Sequence, residues 1–197
     1  MNRGDQTRDK ILEQAVRLAS VEGLQGLTIG RLAEDLSLSK SGLFAHFGSK
    51  EALQAEVVRT TVVQFKDLVL DPAAEMPEGT RRLREIYKLW TKWGDHESMP
   101  GGCLFNAIAA EVDDQPSPAR DILEGWSRKL RLTIGEQVKA AIGLGEMRAD
   151  VDPAQFAFEL GGIMLAMHRT KQLLRDRDNA LKYGAAAFER LLTWTKA

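Results

Sequence analysis

Apolar residues recur three and four positions apart through most of this chain, the spacing of one face of a helix. Residues 8–22 place Ile11, Ala15, Leu18 and Ala19 on one stripe, widened by Leu12 and Val16, and Gly23 is a stop signal. After a link at residues 24–27, Thr28 is an N-cap for a short helix carrying Ile29, Leu32, Ala33 and Leu36. Ser37 and Leu38 break the chain. Ser39 caps a second short helix with Leu43 and Phe47 inward, and Gly48 ends it. Ser49 opens a helix running to about Leu70, with Glu51 favourably placed in its first turn. Asp71-Pro72, Pro77 and Gly79 predict a break, and residues 80–93 a helix bearing Leu83, Ile86, Tyr87, Trp90 and Trp93. Residues 94–102 read as a loop. Further helices are predicted at residues 103–112, from a start at Gln115, Pro116, Ser117 and Pro118 to about Ile142, from Asp152-Pro153 to about Arg175, and from about Ala180 to Lys196. No run alternates with the period of a strand. The fold class is all-α: an N-terminal three-helix unit, residues 1–48, and a larger C-terminal helical bundle, residues 49–197. The helix from about 49 to 70 connects the two.

The most informative stretch is residues 28–47. Two short helices separated by about three residues have the helix-turn-helix layout, although a plain helical hairpin has it too. With Leu43 and Phe47 inward, Lys40, Ser41, Gly42, Ala45 and His46 are free on the outer face. No acid occurs between residues 36 and 50, while Lys40 and Lys50 are basic, so the local charge favours phosphate. Bulk charge adds nothing: the net charge is −1, and in residues 1–60 eight Lys and Arg are matched by eight Asp and Glu. Arg3, Arg8 and Lys10 are candidates for a flexible phosphate-binding arm.

Composition narrows the class. The 197 residues are 44% hydrophobic and 28% charged, the balance of a globular protein with a real core. No apolar run approaches the roughly 20 residues that span a bilayer, and the polar start carries no secretory pattern. The single cysteine, Cys103, forms no internal disulfide, which predicts a reducing cytoplasm.

Residues 39–53, SerLysSerGlyLeuPheAlaHisPheGlySerLysGluAlaLeu, resemble the recognition helix and following linker of the TetR family of bacterial transcriptional repressors. The resemblance is specific over residues 8–53 and extends beyond them in helix order and length. It implies that Thr28 touches a phosphate and that Ser39, Lys40, Ser41 and Gly42 begin a recognition helix in the major groove. It places Phe44, Ala45 and His46 near bases or backbone, and Lys50 on a phosphate from the N-terminus of the fourth helix. The chain departs from the family at Ser37, usually glycine; at Gly42, usually a hydroxyl residue; at Phe44, usually tyrosine; and at Ala45, often histidine or arginine. These changes remove polar contacts. Affinity is then weaker, or base readout shifts to Lys40, Ser41, His46 and Arg31, or to apolar contact of Phe44 or Ala45 with a thymine methyl.

The resemblance also implies a homodimer on a palindromic operator in double-stranded DNA, paired through the last two helices. Phe156, Leu160, Ile163 and Met167 on one, and Ala180, Gly184, Ala187 and Leu191 on the other, are the interface candidates, with Tyr183, Phe188 and Trp194 beside them. Trp90, Trp93, Cys103, Phe105, Trp126, Met164 and His168 are candidates to line a pocket for a small apolar or amphipathic effector, although aromatic and Met residues at helical spacing also build cores. The function read here is a one-component transcriptional regulator, a repressor released by an inducer. Two alternatives stay open: thiol-based release through Cys103, and a helical small-molecule binder without DNA. No nucleotide fingerprint, zinc motif or histidine cluster occurs, so neither catalytic residues, metal ligands, a cofactor nor a membrane partner is expected.

Overall fold

The computed structural model describes residues 3–114 and 116–197. It is all-α. Among the described residues the helices are α1 (Arg3–Gly26), α2 (Ile29–Asp35), α3 (Lys40–Phe47), α4 (Lys50–Phe65), α5 (Asp71–Ala74), α6 (Thr80–Trp93), α7 (Leu104–Val112), α8 (Pro118–Gly143), α9 (Pro153–Gln172) and α10 (Arg177–Thr195). A π-helical turn, Lys66–Leu70, joins α4 to α5, so the helix expected to end near Leu70 runs on to Ala74. Pro72 does not stop it: it falls directly after the π-helical turn, where the Asp71 N–H reaches back to the Lys66 carbonyl and the α-helical bonding pattern is already interrupted. The helix expected to start within residues 115–118 begins at Pro118, with the Ser117 hydroxyl oxygen accepting the Arg120 N–H at 3.1 Å; Gln115 itself lies outside the described residues.

The chain forms two compact units. One is the described chain up to Gln64 together with Asp95–Gly125; the other is Phe65–Gly94 together with Trp126–Ala197. In the first, α1 packs on α7 and α2 on α3. Its core is Ile11, Ala15, Val16, Ala19, Leu24 and Leu27 from α1 and the link after it, Leu32, Leu43, Leu53 and Val57 from α2 to α4, and Leu104 and Ile108 from α7. α1 is broken at Gly23, whose φ of 74° is the left-handed conformation that favours glycine. The carboxylate of Glu111 sits at that kink and accepts the N–H of Gln25 at 3.0 Å, while the Lys50 ammonium donates to the Gln25 carbonyl at 3.0 Å. Residues 97–101 lie along the same helix: Arg17 donates to the Glu97 carbonyl at 2.8 Å and the Gly101 N–H to the Ser20 hydroxyl at 3.2 Å.

In the second unit Phe65 is an aromatic hub. The rings of Trp90, Trp93 and Trp126 meet it edge-on, with centroids 5.6, 5.4 and 5.4 Å away. Such tilted contacts match ring edges to ring faces. α9 packs along α10, and Met167 of α9 fills the space that a side chain at Gly184 would need. Tyr87 stacks on Phe188 at 4.2 Å and donates to the Met167 sulfur at 3.6 Å. Glu146 closes the start of α6 by accepting the Thr80 N–H at 2.8 Å and the Thr80 hydroxyl.

One approach in the first unit is unusually close. A Cβ on Gly101 would stand 1.7 Å from the Ser20 carbonyl oxygen, and backbone cannot yield as a side chain does. Gly101→Ala is expected to destabilise the protein by about 2–3 kcal/mol or more, the scale of overpacking. Gly125→Ala, with nothing within 4 Å of the added Cβ, should be neutral or stabilising by up to about 1 kcal/mol. Chemical denaturation of the two variants checks the contrast.

Candidate nucleic-acid interface

The site is built by capping and burial. The Thr28 hydroxyl oxygen accepts the Arg31 N–H at 3.1 Å and starts α2; the Ser39 hydroxyl oxygen accepts the Gly42 N–H at 3.0 Å and starts α3. The turn between them passes through Ser37 at φ 54°, left-handed where glycine would be unstrained. Gly48, at φ 76°, ends α3, and Ser49 caps α4 through the Ala52 N–H at 3.0 Å. Leu43 and Phe47 of α3 are buried, and Lys40, Ser41, Gly42, Phe44 and Ala45 are exposed.

A second set of contacts holds α3 in place. The Arg8 guanidinium stands over the Phe47 ring, 5.3 Å from its centre, and pairs with Glu56 of α4, which also pairs with Arg59. Burial pushes the Glu56 carboxyl up, but the Arg8 and Arg59 hydrogen bonds outweigh it and hold the group below its ordinary value of 4.5. Arg8 is therefore a structural clamp and not part of a free arm. Lys10 is exposed, and the Arg3 side chain lies outside the described residues.

The remaining predicted contacts sort into two groups. Lys40 leans over the start of α2: a Cβ built on Gly30 would lie 3.5 Å from its nitrogen and 4.0 Å from the Thr28 hydroxyl oxygen. Ammonium and hydroxyl thus share the positive end of α2, an arrangement suited to a phosphate oxygen. Arg31 is exposed but lies between Glu22, at 3.8 Å, and Asp35, at 3.7 Å. His46 is half-buried and lines a cleft of about 420 Å³ with Arg8, Ser49 and Glu51. Lys50 is half-buried and engaged with the Gln25 carbonyl.

The other candidates fall elsewhere. Trp90, Trp93 and Trp126 surround Phe65, a residue the sequence reading missed because its neighbours are far away in the chain. Met164 is buried and His168 half-buried on α9; burial first, and Lys171 second, lower the His168 pKa. Cys103 and Phe105 are buried at the start of α7, in the first unit. Of the pairing candidates, Phe156, Leu160, Met167, Ala180, Gly184 and Leu191 are buried within this chain, and Ile163 and Ala187 are half-buried. The apolar groups left in water on α9 and α10 are Phe158 (62% exposed), Leu165 (46%), Tyr183 (59%) and Trp194 (66%). Tyr183 and Trp194 line a groove of about 810 Å³ together with Gly162, Ile163, Ala166, Ala187, Glu159 and Arg190. Phe158, Gly162 and Leu165 were legible as a second apolar stripe, three and four apart.

Comparison with known proteins agrees with this geometry. Residues 11–57 match the model of bacterial regulatory proteins of the tetR family, and residues 79–188 that of the tetracyclin repressor-like C-terminal domain. The chain is 28% identical over 177 residues to the HTH-type transcriptional regulator LmrA of Bacillus subtilis, covering 85% of this chain and 89% of that protein. Its fold is similar to that of a TetR transcriptional regulator from Chloroflexus aurantiacus, with a TM-score of 0.87 at 24% identity over 98% of this chain and 96% of that one. It is also similar to AibR in complex with isovaleryl coenzyme A and operator DNA, with a TM-score of 0.73 at 23% identity over 92% and 97% of the two chains.

The clamp under α3 has a pH signature. Because the Glu56 carboxyl is held below its ordinary value in the folded state, its contribution is complete above about pH 4.5 and is lost as pH falls through the lowered value. Glu56→Gln should therefore cost stability at pH 7 and flatten the acid limb of the stability curve below pH 4.5. Denaturant titrations of both proteins between pH 3 and 7 read the difference.

Proposed function

The chain belongs to the TetR family of bacterial regulatory proteins, and from that premise we propose that this DNA-binding transcriptional regulator is a repressor. It grips a palindromic operator as a homodimer and releases it when a small apolar or amphipathic effector occupies its C-terminal domain. The carrying observation is the capped α2–α3 pair, with Thr28 and Lys40 together at the start of α2 and the exposed face of α3 free of acid. Thr28 and Lys40 bind a phosphate and fix register. α3 presents Ser41, Gly42, Phe44 and Ala45 to the major groove, the docking mode of helix-turn-helix readers. One such motif covers little DNA. Two on a two-fold axis read half-sites about 34–36 Å apart, or multiples of that spacing.

Pairing is assigned to the face that carries Phe158, Leu165, Tyr183 and Trp194. Four large apolar groups in water on two adjacent helices are what a second copy would cover. The effector is assigned to the second unit, where aromatic rings gather around Phe65 and the half-buried Trp90 and His168 offer polar handles. The AibR complex supports a small-molecule effector for a chain of this fold. An effector that prefers the spacing of reading heads unsuited to DNA shifts the population and lowers DNA affinity. A thiol trigger at Cys103 is not favoured: the residue is only 5% exposed, and burial shields a thiol from attack.

Duplexes selected from random DNA by the full chain should converge on a palindrome. Lys40→Ala should weaken binding to it and reduce the slope of log affinity against log salt by about one per protomer. An unchanged slope would remove Lys40 from the phosphate contacts. Phe158→Glu should shift sedimentation from dimer to monomer and weaken binding to the full palindrome far more than to a single half-site. A variant that still sediments as a dimer would place the pairing face elsewhere.

A further inference from the structure

We propose that this chain reads its operator chiefly through thymine 5-methyl groups, met by Phe44 and Ala45, with hydrogen bonding to bases a minor source of its sequence preference. The inference rests on the DNA-binding function above and asks which chemical feature of the bases is recognised.

The argument starts from the outward surface of α3. At about 100° per residue, the buried Leu43 and Phe47 fix Ser41 and Ala45 on the opposite side, with Gly42 and Phe44 on the flanks. All four are exposed, Phe44 by 52%. Three of these side chains offer neither donor nor acceptor. The fourth, the Ser41 hydroxyl, stands 3.3 Å from the hydroxyl of Ser39, which is already occupied as the cap of α3.

The nearby polar groups lie to the side of this surface or have neighbours of their own. Lys40 leans over the first turn of α2 beside Thr28. Arg31 lies between two carboxylates, Lys50 donates to the Gln25 carbonyl, and His46 lines the cleft beside Arg8 and Glu51. The surface that enters the groove is therefore apolar at Gly42, Phe44 and Ala45, with the Ser41 hydroxyl beside Ala45 and Lys40 at its edge.

The major groove offers polar edges on every base pair and one apolar group, the methyl of thymine. Over a G·C pair, an apolar surface removes water from base edges and returns no hydrogen bond. Over the thymine side of an A·T pair, the same surface covers a methyl and recovers the worth of that burial. The exposed phenyl of Phe44 gains in the same contact, because its own face leaves water. The absence of acid between residues 36 and 50 leaves the flanking phosphates attractive to this surface.

The test uses the full-length protein and the palindromic duplex recovered from random DNA. Each thymine is replaced in turn by deoxyuridine, which keeps the base pair and deletes only the methyl. The expected result is roughly a fourfold loss of affinity at one or two positions per half-site, the worth of one buried methyl. At such a position a cytosine should bind weakly, and 5-methylcytosine should recover part of the loss. In Phe44→Ala or Ala45→Gly, the penalty for deoxyuridine should shrink at the position each residue covers; Phe44 is exposed, so its removal leaves the fold in place. Affinities within twofold at every deoxyuridine position would overturn the inference while leaving DNA binding intact. So would a methyl dependence unchanged in both variants. A selection that returns no duplex would refute DNA binding itself, and this inference with it.

Discussion

An eight-residue helix does not hold its shape alone in water, because nucleation is costly and few hydrogen bonds repay it. α3 holds because Leu43 and Phe47 are buried under it and because Arg8 lies across the Phe47 ring while paired to Glu56. Everything attributed to the reading head follows from that anchoring. Which residues face outward is set by which two face in. The caps at Thr28, Ser39 and Ser49 then set where each helix starts, and so where the positive ends of α2 and α3 and the side chain of Lys40 come to lie.

The second unit follows a different logic. Its helices are long enough to present two apolar faces, and only one is used within the chain. Phe156, Leu160 and Met164 of α9 point inward, while Phe158 and Leu165 stay in water. Small residues decide the spacing: with no side chain at Gly184, Met167 sits against α10, and Tyr87 caps the arrangement by stacking on Phe188. The aromatic hub at Phe65 brings three indoles together without a continuous stretch of aromatic sequence.

Local chemistry was legible in the sequence; commitments between distant residues were not. The three hydroxyl caps, the Gly48 stop and the inward pair of α3 follow from short-range rules, and the structure has each of them, whereas Gly23 kinks α1 without ending it. Pro72 reads as a break, and the structure carries the helix past it through a π-helical turn that no local pattern announces. Arg8, Arg31, Lys50 and His46 all looked free, and each has partners or a cleft supplied by segments that no local pattern identifies. Along α9 a single stripe was chosen where two exist; burial tells the inward from the outward, and burial depends on which helix packs alongside. The pocket candidates divide in the same way, with Cys103 and Phe105 in one unit and the three tryptophans in the other.

The main chain of Gln25 joins three helices: its N–H is taken by Glu111 of α7 and its carbonyl by Lys50 of α4, just past the Gly23 kink in α1. Both partners hold main chain and not the glutamine side chain. Position 25 is therefore open to mutational drift, since nearly any residue presents the same amide and carbonyl, whereas Glu111 and Lys50 are each held to a side chain that makes the same bond. Across diverging copies of this gene, substitution should accumulate at 25 while 50 and 111 each stay restricted to residues that can reach the same main-chain atom.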